Sequence, residues 1–144
     1  MATYNKFQDF AEQIAKGVHN FATHTFKVAL TNTAPVATQT TWNTADHPAP
    51  AAANGYTAGG TATTIYTSET SGTMTVSGTQ VVFTATAGGI GPFRYAILYN
   101  DSATSPADAP IAWWDYGSSI TLADTETFTV KFNNASPGTI FTLA

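Results

Sequence analysis

The sequence predicts a mainly β fold: an antiparallel β-sandwich or jelly roll with one N-terminal α-helix. Three observations predict it. Apolar residues recur at helical spacing only near the N-terminus, they alternate with polar residues beyond residue 22, and turn-forming pairs interrupt the chain at short intervals.

The helix is expected over residues 4–21. Phe7, Phe10, Ile14, Val18 and Phe21 fall at spacings of three and four, with Ala11 and Ala15 between them, which makes one apolar stripe. Thr3 or Asn5 could cap it, and Asn5 with Gln8 fits a capping box. The stripe has two possible destinations, the domain's own sheet or a neighbouring subunit, because a terminal element is free to dock on either.

The remaining elements read as strands. Phe26, Val28 and Leu30 share a face in FKVAL, and Met74 and Val76 share one in TMTVSG. Val81, Phe83 and Ala85 alternate with Gln80, Val82 and Thr84. Phe128, Val130 and Phe132 are expected to point inward, with Thr127, Thr129 and Lys131 outward. FRYAILYN is apolar on both faces, as a central strand covered on two sides would be, and IAWWDYG repeats that pattern. Asn54-Gly55, Gly59-Gly60, Ser71-Gly72, Ser77-Gly78, Gly88-Gly89, Gly91-Pro92, Ser105-Pro106 and Pro137-Gly138 supply the turn signals. The organisation is therefore a helical segment at residues 1–22 and a single sandwich domain at 23–144. Residues 33–60 form a long loop, rich in Ala and Pro, read either as an arm ordered by a partner or as a mobile loop.

Composition narrows the function. Only 10% of the 144 residues are charged, and the net charge is -4. Thr, the commonest residue, suits a hydroxyl-rich pleated surface. Such a surface carries few charges that must lose water when another protein covers it. The five cations, Lys6, Lys16, Lys27, Arg94 and Lys131, are scattered, whereas a nucleic-acid groove needs them clustered. Direct nucleic-acid binding is not expected. The chain has no cysteine and no apolar run of the ~20 residues that would cross a membrane.

No reactive constellation emerges. His19, His24 and His47 have no HExxH spacing, so no metal is expected. Asp101, Asp108, Asp115, Asp124 and Glu126 could pair for glycoside hydrolysis, but Asp101 and the LADTET acids sit in turn-like sequence. GGIGPF lacks the lysine and helix of a phosphate loop and reads as a tight turn feeding the next strand. Neither a catalytic residue nor a cofactor is expected. Trp113 and Trp114 must point to opposite faces of a strand, with Tyr116 on the side of Trp114. Arg94 is expected to pair with a carboxylate such as Asp115 or to touch a subunit. The candidate partner-binding residues are Phe7, Phe10, Ile14, Val18, Trp42, Tyr56, Arg94 and Trp114.

The segments KVALTNTAPVAT, NGYTAGG, GGIGPFRYAILYND and WWDYGSSITLADTETFTV together resemble a family of small virion structural proteins of tailed bacteriophages. The resemblance spans the chain, with 38–52 as its variable stretch. It implies a capsid cement or decoration protein, made in the host bacterial cytoplasm and carried on the capsid exterior. The implied partners are the major capsid protein and further copies of itself, as a dimer or trimer on the shell. It offers no catalytic residue. Two alternatives remain beside it: a tail or adsorption-apparatus component, and a carbohydrate-binding module using a tryptophan platform.

Overall fold

Strand alternation governs nearly all the regular structure of residues 2–144 in the computed structural model, and one short helix interrupts it. In chain order the elements are β1 (Thr3–Lys6), α1 (Asp9–Ala15), β2 (Phe26–Thr31), β3 (Thr61–Thr63), β4 (Ile65–Thr70) and β5 (Thr73–Gly78). They continue with β6 (Val81–Thr84), β7 (Ile90–Thr104), β8 (Ala107–Leu122), β9 (Thr127–Val130) and β10 (Gly138–Leu143). Three sheets form, in the orders β1-β8-β7-β2-β3, β10-β5-β4 and β6-β9, with every strand pair antiparallel. The arrangement is sandwich-like and does not close into a barrel.

The largest sheet is buried on both faces, as the doubly apolar β7 requires. Register sets Tyr4, Trp114, Ala96 and Leu30 in one row across β1, β8, β7 and β2. On that side Leu30, Leu98 and Ala112 pack with Val81 and Phe83 of β6, Val130 of β9, Phe132 and Ile140. The opposite side carries Ala29, Ile97, Tyr99 and Trp113, covered by Phe7 and Trp42. Trp113 and Trp114 thus serve different layers, as strand geometry demands.

Local sequence misleads in four places. The expected helix over 4–21 shortens to Asp9–Ala15, because Thr3–Lys6 pair with Asp115–Ala112 and extend the sheet. A free β8 edge offers more hydrogen bonds to those residues than a frayed helical turn does. The capping box does not form: Gln8 occupies the N-cap without a side-chain bond, and the Asn5 amide donates to Thr3 O instead. Gly17, at φ +75°, ends the helix; the Gly17 and Val18 amides donate to Ile14 O and Gln13 O in a Schellman turn.

GGIGPF is not simply a turn, since Ile90 and Phe93 already pair with Leu122 and Ile120. Likewise NDSATSPAD runs on as ladder, and the β7–β8 hairpin turns only at Ser105–Pro106. Residues 33–60 form no regular element before β3, yet they lie against the main sheet. Trp42 stacks on Tyr99 at 4.5 Å between centroids, the Trp42 amide donates to Asp108 O, and the Leu30 amide donates to the Tyr56 hydroxyl. The stretch therefore serves as a covering layer where an arm or mobile loop was expected.

Candidate functional site

β8 presents Trp114 and Tyr116 two residues apart, on the same side of the strand. β1 sets Tyr4 directly opposite Trp114, with the rings edge to face at 5.8 Å. From the other layer comes Phe128, whose ring meets Tyr116 edge to face at 5.6 Å. These rings bound an open cleft of about 490 Å³. Arg94, Lys131, Asn133 and Asn134 add polar groups to its wall. Asn133 and Asn134 both adopt positive φ, 48° and 55°, a conformation Asn tolerates better than other side chains. Their turn returns the chain from Phe132 to Ala135.

The polar wall is held in place. The Arg94 Nε and Nη2 atoms donate to the two carboxylate oxygens of Asp115 at 2.7 and 2.8 Å, a bidentate pair. The Gly117 amide donates to the same carboxylate at 2.7 Å, and Gly117 has φ +100° with open space where a Cβ would stand. The Arg94 guanidinium, with the Gly117 amide, holds the Asp115 carboxyl below the usual carboxylate range. The aromatic wall is equally supported. Trp114 contacts Phe132 at 5.4 Å, and Phe128 contacts buried Phe93 at 5.0 Å. Tyr116 remains 54% exposed and Tyr4 37%, so ring surface stays open to solvent.

Of the residues proposed from sequence, the structure brings only Arg94 and Trp114 together here. Arg94 makes the anticipated pair with Asp115. Phe7, Phe10, Trp42 and Tyr56 are buried in the domain's own core and offer no ring to a neighbour. The reason is the absence of a long helix: once β1 joins the sheet, Phe7 is drawn under Trp113 at 4.6 Å, and Phe10 packs on Phe141 at 5.0 Å. Ile14 is half-buried against the same core, and half-buried Val18 borders a shallow hollow beside His24. Tyr4, Asn133 and Asn134 were not singled out by sequence, and Phe128 and Lys131 were read only as the inward and outward residues of a strand. Their adjacent turn asparagines were the one available signal.

A second polar cluster lies behind α1. The Nδ2 of fully buried Asn100 donates toward Val18 O and faces the Nδ1 atoms of His19 and His24 at 3.3 and 3.0 Å. Burial lowers the His19 imidazole to about 4, and nearby His24 adds to the effect. Among the described residues no three His, Cys, Asp or Glu side chains converge as metal ligands, and no helix is long and apolar enough to cross a membrane. The cleft offers stacking surface and hydrogen bonds, and the Arg94 in its wall is held by the Asp115 carboxylate behind it. Compared with family models, curated proteins and solved structures, the chain matches none.

Proposed function

We propose that the protein is a structural component of a tailed-phage particle, bound to the outside of the capsid shell as a cement or decoration protein. Sequence resemblance supplies the particle, and the surface supplies a physical means. The observation that carries the proposal is the outer face of the β10-β5-β4 sheet. Its cross-strand rows run Tyr66–Ser77, Ser68–Thr75–Thr142 and Thr70–Thr73, so it holds hydroxyls and no charge. β4 is also an edge strand, exposed along nearly its whole length. A charge-free face loses little hydration when covered, and a free edge can pair with a strand of another subunit.

Cementing then follows from linkage. A subunit that binds the assembled shell but not free capsid subunits stabilises the shell by RT ln(1 + [L]/Kd). Copies that each bridge two neighbours gain further through effective concentration.

The test is co-sedimentation of the purified protein with expanded capsids and with free capsid protein, followed by heating of particles with and without it. Preferential binding to capsids and genome retention to higher temperature are expected. Ser68→Glu and Thr75→Lys should each weaken attachment while leaving the isolated domain's melting temperature within a few degrees. Equal heat resistance of particles with and without the protein would overturn the proposal.

A further inference from the structure

The aromatic cleft differs in chemistry from the hydroxyl face, and that difference identifies its ligand. We propose that the cleft between β1, β8 and β9 is a carbohydrate site that takes a pyranose-containing oligosaccharide. A pyranose has two kinds of surface: a C–H face that packs on an aromatic ring, and a rim of hydroxyls that both donate and accept hydrogen bonds. The cleft supplies both at once. Trp114, Tyr116 and Tyr4 give ring surface, while the Asn133 and Asn134 amides supply donors and acceptors beside it and Arg94, held by Asp115, supplies further donors.

Size and charge fit the same class. About 490 Å³ lies within the range of small-molecule sites, yet the cleft is open, as a site for part of a longer chain must be. Arg94 and Asp115 neutralise each other, leaving Lys131 as the only uncompensated charge among the lining residues. This favours a neutral glycan over a polyanion.

The rings and the arginine are also positioned before any ligand arrives. Asp115 is fixed by three hydrogen bonds from Arg94 and Gly117, Tyr116 is braced by Phe128, and Trp114 by Tyr4 and Phe132. Little side-chain ordering is left to oppose binding. An extended peptide pairing with the open edge of β1 would use the aromatic rings but would leave the paired charges and the asparagine amides beside apolar side chains. The polar wall therefore favours the sugar.

The inference is independent of capsid binding. Its test is a glycan array probed with the full chain, followed by NMR titration with soluble cello-, chito-, malto- and manno-oligosaccharides. Saturable binding with a Kd of about 1 mM or tighter is expected. Shifts should be confined to the Trp114 indole, the Tyr116 ring and the Asn133 and Asn134 side-chain amides. Tyr116→Ala should weaken binding at least about tenfold, since loss of one stacked ring is worth about that much. Asn134→Gly keeps the left-handed backbone, removes the amide, and should weaken binding even if the tyrosine variant misfolds. Ser68→Glu, on β4 at the edge of its sheet opposite the cleft-lining β10, should leave it unchanged. Saturation by no glycan on the array, or binding indifferent to both cleft variants, would overturn the proposal. So would occupation of the cleft by a strand of a second copy.

Discussion

At the scale of single residues, glycine marks where backbones meet. Gly60, at φ +84°, lies against β2 so closely that a Cβ would stand 2.0 Å from Val28 O. Gly72 has nearly the same backbone, φ +83°, at the β4–β5 turn, but a Cβ there would meet nothing within 4 Å. The two positions separate steric cost from conformational cost. Gly72→Ala is expected to lower stability by about 1–2 kcal/mol, the cost of the left-handed conformation alone. Gly60→Ala should cost at least about 3 kcal/mol, because the neighbour is backbone and can yield only by moving β2. Urea denaturation of both variants checks the ordering, and equal midpoints would contradict it. In the sequence both appear only as turn signals. Nothing near Gly60 shows that Val28, thirty-two positions earlier, will lie against it.

At the scale of elements, the same limit separates what the sequence discloses from what it hides. β6 is legible because Val81, Phe83 and Ala85 alternate and are all buried. The interior of β7 is legible because both its faces are apolar. The N-terminus is not. Phe7, Phe10 and Ile14 satisfy helical spacing, but β1 takes its conformation from β8, more than a hundred residues away. The cleft is illegible for the same reason, since five strands contribute to it. Two consequences can be tested. Deleting residues 1–21 removes Phe7 and Phe10 from the core, so it should abolish the cooperative thermal transition rather than merely detach a docking element. Calorimetry would show this, and a retained transition would mean that those rings contribute little. Trp42→Ala should cost about 3–5 kcal/mol and speed amide exchange at Ala29 and Ile97, which Trp42 helps to cover. Val36→Ala, in the same segment but 56% exposed, should change stability by no more than about 0.5 kcal/mol.

At the scale of the whole molecule, burial of an ionisable base among aromatic rings ties stability to pH. His19 sits among Phe10, Phe21 and Phe26, where α1 and the following chain meet β2. The orientation of Asn100 is fixed because its Oδ1 accepts from the Ser102 amide, so its Nδ2 turns its two protons toward Val18 O and the Nδ1 atoms of His24 and His19. A proton on His19 Nδ1 would face that amide nitrogen as a second donor, and burial among the rings disfavours the charged form. Desolvation is the larger cause of its depressed value near 4, the His24 charge adds to it, and Asp9 opposes it. The sign follows from the two states. Above about pH 6.5 both folded and unfolded chains hold His19 neutral, and its burial carries no penalty from protonation. Between pH 6.5 and about 4 the unfolded chain takes up the proton while the folded chain does not, so stability falls as pH falls. The slope approaches but does not exceed about 1.4 kcal/mol per pH unit. The window from pH 6.5 to 5 isolates this residue best, since most carboxylates titrate below it. Denaturation midpoints across that window should decline in the wild type. They should flatten in His19→Gln, whose side chain carries no charge at any pH in the range. An unchanged slope in the variant would assign the pH dependence to other groups.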